Sequence, residues 1–142
     1  MRTPRLFVPQ PLVCGETVEI DGKAAHHVIH VLRLRSGTAI RVFDGKGCEH
    51  QATLKEVRRA KASIEIGIPA TPAVEPSLTV TLAQGIARND RMDFILQKAV
   101  ELGVGDIQPL WMQRSQAHLK GERLEKRLQH WQGVIILSLI HI

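Results

Sequence analysis

The stretch Leu78–Met112, LTVTLAQGIARNDRMDFILQKAVELGVGDIQPLWM, decides the second half of the fold because its hydrophobic period changes twice within it. Leu78–Ala83 is β-branched and apolar, as a buried strand requires. Asn89 is placed to cap a helix whose apolar residues Met92, Ile95, Leu96, Ala99 and Leu102 recur at three- and four-residue spacing, with Gly103 as its stop. Ile107–Met112 reads as a second strand, and Glu122–Leu137 as a second helix with Leu124, Leu128, Trp131 and Ile135 on one face. Strand, helix, strand, helix with short links is the opening of a parallel α/β sheet. Two strands cannot bury both faces of such a sheet, so this unit is expected to be incomplete. VIILSLIHI at 134–142 is apolar and uncharged, too short to span a bilayer, and residues 133–142 look like a foreign or frame-shifted end.

Upstream, the first 70 residues read as short strands with period-two alternation: Arg5–Val8, Thr17–Ile20, Thr38–Phe43, Cys48–Val57 and Lys61–Ile68. Asp21-Gly22, Ser36-Gly37 and Asp44-Gly45-Lys46-Gly47 punctuate them as turns, and one helix is expected over Ala24–Leu34. The pattern implies a small barrel or sandwich. Residues 69–77, PATPAVEPS, hold three prolines and little charge, which suits a stiff connector. The expected division is therefore a β-domain at 1–70, a linker at 71–77, and an α/β unit at 78–142.

Composition agrees with a folded chain. The 142 residues are 44% hydrophobic and 23% charged, which excludes disorder and coiled coil, and aromatics at 4% disfavour a base-stacking platform. Lys and Arg number 19 against 14 Asp and Glu, a net +5 with a pI near 9.7, which favours a polyanion as partner. The excess is spread: residues 1–77 hold 11 basic and 8 acidic side chains, and residues 78–142 hold 8 and 6. The first ten residues contain no apolar run of signal-sequence length, so the cytoplasm is the expected compartment, with no membrane partner. Cys14 and Cys48 lie far apart without a C-x-x-C, and two reduced, partly buried thiols are expected.

His26-His27-x-x-His30 has the one-turn spacing of a zinc pair but no third ligand, so no metal is assigned. Those histidines join Arg33 and Arg35 as a basic helix face suited to phosphate. The Gly45/Gly47 loop matches no nucleotide-binding motif and reads as a hairpin. Arg88 and Arg91 flank the start of the Asn89 helix, where cations oppose the helix dipole, just past a strand's carboxyl end, where open α/β sheets bind ligands. Lys98 and Glu101 read as a surface ion pair. Spacing shows no nucleophile, base and orienter set, and no catalytic residue is assigned.

RNDRMDFILQKAVELGVGDIQPL at Arg88–Leu110, with Gln84 before it and Gln113-Arg114-Ser115 after it, resembles the RsmE family, the bacterial ribosomal RNA small-subunit methyltransferases E. RTPRLFVP at Arg2–Pro9, HVIHVLRLRSG at His27–Gly37 and FDGKG at Phe43–Gly47 resemble the same family in the same order, and the likeness runs from residue 2 to about 132. The resemblance implies an α+β protein: an N-terminal PUA-like barrel that grips RNA, followed by the start of a SPOUT-type trefoil-knot α/β domain, in a homodimer. It implies methyl transfer from S-adenosylmethionine to N3 of a uridine in 16S ribosomal RNA. Arg5, His27, Arg33 and Arg35, with Arg88 and Arg91, are the expected RNA contacts. The family's GPEGG loop and final LG-x-R segment, which form the donor pocket, do not occur in this sequence. No cofactor-binding residue is therefore assigned here, and the chain by itself is expected to bind the donor poorly and not to turn over. A non-enzymatic RNA-binding module is the competing reading, and a histidine-based metal regulator a third.

Overall fold

The computed structural model describes residues 3–70, 77–114 and 119–141. The chain divides into two compact units, Met1–Val74 and Glu75–Ile142. The connector expected at residues 71–77 lies outside the described residues except for Ser77.

The first unit contains β1 (Arg5–Phe7), β2 (Thr17–Ile20), α1 (Gly22–His26) continuing into a π-helical turn (His27–Val31), β3 (Ala39–Phe43), β4 (Glu49–Val57) and β5 (Ala62–Pro69). The strands form one sheet in the order β1-β3-β4-β5-β2, parallel between β1 and β3 and antiparallel elsewhere. Alternation sets which face is covered: Ile40 and Val42, Ala52 and Leu54, and Ala62, Ile64 and Ile66 are all buried. Both edge strands send side chains into this same core, Leu6 from β1 and Val18 and Ile20 from β2, so the sheet wraps around it. The register pairs Leu54 with Ile64 at its centre. Full burial of each such side chain stabilises by about 1.5–3 kcal/mol, and truncating either to alanine costs about 2–5 kcal/mol.

Between β2 and β3 the structure departs from the expected helix over Ala24–Leu34. Ala25 and Val28 are buried against the core, but the helix widens at once, Leu32 N–H donating to His27 O at 2.9 Å and Leu34 N–H to Val28 O at 3.0 Å. Arg33 then adopts φ +50, a left-handed conformation unusual for a side chain of this size, which turns the chain and packs Leu34 on the core. The β-branched Val28-Ile29 and Val31 do not favour a longer helix, and tertiary burial of Leu34 ends it. The hairpin loop between β3 and β4 is closed by Asp44, whose Oδ1 accepts from Lys46 N–H at 2.7 Å and Cys48 N–H at 3.3 Å. Cys48 in this loop and Cys14 in the turn before β2 are both free and exposed, correcting the partly buried thiols expected; neither position is on a core-facing strand.

The second unit contains β6 (Thr81–Gly85), α2 (Asn89–Glu101), β7 (Asp106–Leu110) and α3 (Glu122–His141). β6 and β7 are parallel, Leu82 opposite Ile107 and Gln84 opposite Pro109, so β6-α2-β7 is the crossover that the period changes implied. Several boundaries move. Pairing begins at Thr81 rather than Leu78, and β7 ends at Leu110 rather than Met112. Asn89 is the first helical residue rather than the cap; the extended residue before the helix is Arg88, without a side-chain capping bond. Gly103, at φ +79, closes α2 as expected, with its N–H on Val100 O and Val104 N–H on Ala99 O, both at 3.0 Å.

The core of this unit is Met92, Leu96 and Trp131, with Ile86, Ala87, Ile107, Val134 and Ile135 packed against it. Leu102 does not join it: it follows the last turn of α2, off the Met92–Leu96–Ala99 face, and is 82% exposed. Leu128 is also exposed, because the covered stripe of α3 centres on Trp131 and Ser138 and leaves Leu128 at its margin. The helix passes the expected end at Leu137 and reaches His141, so the apolar run from Val134 is helical, and Val134 and Ile135 find partners within this unit.

Candidate functional site

The basic residues of the first unit fall in two places. On edge strand β1, Arg5 lies against Glu49, Nε donating to Oε1 at 3.2 Å and the terminal nitrogen to Oε2 at 3.0 Å, while its guanidinium stands 4.8 Å from the Phe43 ring centroid. Arg41 on β3 also approaches this carboxylate, its terminal nitrogen 3.7 Å from Oε1. Phe7 and Phe43 pack beneath, ring centroids 5.5 Å apart. The Arg5–Glu49 pairing joins residues 44 positions apart, which no local pattern in the sequence could reveal.

The second place is the turn between β2 and β3. His26 and His30 are exposed, one turn apart, with ring centroids 5.0 Å apart; His27 is half-buried. Arg33 and Arg35 are exposed on either side of Leu34, which packs on the core. Arg35 is held from behind, its carbonyl accepting from Thr38 N–H at 3.1 Å and Thr38 Oγ1 at 2.6 Å. The turn therefore projects two guanidiniums and two imidazoles from a backbone anchored by Val28 and Leu34. Such an arrangement suits contacts to phosphate, which need charge and reach but no deep pocket. The structure brings His27, Arg33 and Arg35 into this one turn and places Arg5 on β1 instead. Among the described residues no three or more His, Cys, Asp or Glu side chains cluster as metal ligands.

In the second unit the carboxyl ends of β6 and β7 meet. Ile86 N–H donates to Leu110 O at 3.0 Å, and Gln84 Nε2 donates to Gly85 O at 2.8 Å. Gly85 lets the strand end approach Met112 closely, since a Cβ on it would lie 2.8 Å from Met112 Cγ and something would have to shift. Past this junction the chain enters α2, and Arg88 and Arg91, both exposed, line an open hollow with Ala87, Asn89 and Asp90. Arg88 O accepts from Arg91 N–H at 2.9 Å and Met92 N–H at 3.3 Å, fixing the first turn. Trp111 and Met112 follow β7 and remain 41% and 53% exposed.

Comparison with known proteins follows the two units. A family model described as RNA methyltransferase PUA domain matches residues 20–67, and one described as RNA methyltransferase domain matches residues 74–139. The ribosomal RNA small subunit methyltransferase E of Neisseria gonorrhoeae, solved bound to S-adenosyl methionine, superposes with a TM-score of 0.93 at 41% identity over 99% of this chain and 57% of its own. The chain belongs to the RsmE family.

The curated RsmE proteins of Buchnera aphidicola from Schizaphis graminum and of Bacillus subtilis are 26% and 28% identical, over 96% and 81% of this chain and 56% and 45% of theirs. The chain thus spans about half the length of the RsmE relatives it matches. The α+β class read from the sequence, a PUA-like sheet followed by the α/β elements of the methyltransferase, is the fold of this family.

Proposed function

We propose that this chain carries the RNA-gripping unit and the first elements of the transfer unit of an enzyme that methylates N3 of a uridine in 16S ribosomal RNA. The observation that carries this reading is order: a PUA model and an RNA methyltransferase model match in sequence on two units, and both lie within one superposition on a relative solved with the methyl donor. The reading includes S-adenosylmethionine as donor, a cytoplasmic setting and a homodimer. Among the described residues no helix is long and apolar enough to cross a membrane.

The residues divide the labour by chemistry. Arg33, Arg35 and His27, with Arg5, hold the ribose-phosphate backbone through charge and set register without reading bases. Arg88 and Arg91 face the substrate at the start of α2, where a guanidinium can neutralise charge that develops on uracil as N3 loses its proton. The donor supplies an electrophilic methyl on a sulfonium. A donor of that size needs a concave pocket over most of its surface, and the hollow beside Arg88 and Arg91 is open and lined by two guanidiniums, which would repel a sulfonium. The described residues of that hollow therefore do not fit the donor, and they suit the anionic side of the substrate.

The test is incubation of the whole enzyme to which this chain is proposed to belong with labelled donor and unmodified small ribosomal subunits, followed by reverse transcription of the RNA; the chain alone is expected to bind RNA without incorporation. N3 methylation blocks base pairing, so the expected result is incorporation with one strong stop at a uridine. Methyl label on a ribose, or on RNA without any stop, overturns the N3 assignment. RNA binding with no incorporation by that whole enzyme favours the module reading.

A further inference from the structure

Along α3, Arg123, Lys126, Arg127 and His130 follow at i, i+3, i+4 and i+7, which places them within about 100° of arc on one helix face. With Leu119 they line a single shallow hollow. Arg123 and Lys126 are exposed, and Arg127 is half-buried beside the covered stripe. Glu122 and Glu125 share the helix, but among the described residues neither forms an ion pair with these three cations. The acidic group that approaches from a neighbouring element is Asp93 on α2, and its Oδ2 is bonded to His130 Nε2 at 2.8 Å.

Like charges at i, i+4, here Arg123 and Arg127, destabilise by about 0.2–0.5 kcal/mol, and Glu122 and Glu125 in the first turn favour the helix dipole without pairing with this strip. A solvated helix face normally interleaves signs instead. From this uncompensated charge, together with its fixed base at His130–Asp93, we infer that α3 is a phosphate-binding strip for the RNA backbone, a contact surface in addition to the Arg33–Arg35 turn. The inference rests on the RNA-substrate reading above. At about 1.5 Å rise per residue, the strip from Arg123 to His130 is about 10 Å long, enough to meet two successive phosphates.

The experiment is fluorescence anisotropy of a labelled RNA hairpin with the wild-type chain, Arg123→Gln/Lys126→Gln and Arg33→Glu, titrated across salt. Loss of two phosphate contacts lowers the log–log salt slope by about 1.4–1.8, and the expected affinity loss at low salt is about tenfold. The double variant keeps its helix by circular dichroism and melts at the same temperature or higher, because repulsion is relieved, which a merely structural role would not produce. If the double variant fails to fold, Lys126→Gln alone is read, with a slope change of about 0.7–0.9. Unchanged slope and affinity, while Arg33→Glu weakens binding, overturns the α3 strip and leaves the RNA reading standing. Absence of salt-dependent RNA binding in the wild-type chain overturns both. Equal affinity for polyglutamate overturns RNA as the strip's partner.

Discussion

Arg5 and Glu49 form a two-point ion pair across the sheet, 3.2 and 3.0 Å, with only about a fifth of each side chain exposed, at 22% and 18%. The pair ties edge strand β1 to the start of β4, and Phe43 supports the guanidinium from one side. An arginine so held donates part of its hydrogen-bonding capacity to the fold. Glu49→Gln is expected to lower the stability of the first unit by about 1–2 kcal/mol, the scale of a charged hydrogen bond at partial burial. The same change removes a negative charge beside Arg5 and Arg41, so RNA affinity at low salt should rise. Urea denaturation and anisotropy read the two effects separately. A variant with lower stability and unchanged affinity would make Arg5 a residue of the fold and not of the interface.

Arg33 separates stability from binding in the opposite sense. Its φ of +50 is a conformation that glycine adopts without strain. Arg33→Gly should therefore leave the thermal midpoint unchanged or raise stability by up to about 1 kcal/mol, the unfolded-state entropy of glycine offsetting part of the gain. Yet the variant should weaken RNA binding across sequences alike and reduce the salt slope by about 0.7–0.9. Denaturation and salt-dependent anisotropy on the same preparation check this; a large stability loss would show that the arginine side chain packs rather than projects.

What was legible in the sequence is what local chemistry determines. Period-two alternation at Ile40–Val42 and Ile64–Ile66 located strands, and the Met92–Leu96–Ala99 spacing with Gly103 located α2, because in each the covered face is written in consecutive residues. The turn at His27–Leu34 was misread, since a left-handed Arg33 carries no composition signal and is imposed by burial of Leu34. The Arg5–Glu49 pair was invisible for a similar reason: its partners meet only once β1 and β4 are placed in one sheet. Leu102 and Leu128 show the converse error, apolar residues at helical spacing that lie just outside the covered stripe. The cations of α3 were present as letters, but whether such a run is paired or uncompensated depends on side-chain geometry.

Glu19 on β2 and Lys61, just before β5, link the far edge of the same sheet. The hydrogen bond from Lys61, and then its charge, hold the Glu19 carboxyl below its ordinary value of 4.5; the bond to Glu19, and then its charge, raise Lys61 above 10.5. A depressed carboxylate contributes stability that is present above its unfolded pKa and lost as pH falls through the lower folded value. A raised ammonium contributes stability present below its unfolded pKa and lost as pH rises through the higher folded value. The pair thus acts fully between 4.5 and 10.5, and fades on both sides. Both side chains are more than half exposed, so the effect is small. Glu19→Gln should flatten the stability profile slightly at both ends; parallel urea profiles for variant and wild type would show no contribution.

Gly85 and Met112 give the sharpest test of the second unit. The carboxyl ends of β6 and β7 approach so closely that a Cβ on residue 85 would stand 2.8 Å from Met112 Cγ and 3.8 Å from its Sδ. Cγ moves only with χ1, not with the outer torsions of the thioether, so relief needs either a new χ1 rotamer at Met112 or a shift of the strand end or of the segment after Leu110. Gly85→Ala is expected to cost about 1–3 kcal/mol, the range for overpacking. Met112→Ala removes the atom that clashes, and Met112 is 53% exposed, so that single change should cost less than about 1 kcal/mol. The double variant should then be more stable than Gly85→Ala alone, with a coupling of about 1 kcal/mol or more in a thermodynamic cycle. Additive losses would mean that the junction of these two strand ends is not set by contact between residues 85 and 112, and that glycine serves there for another reason.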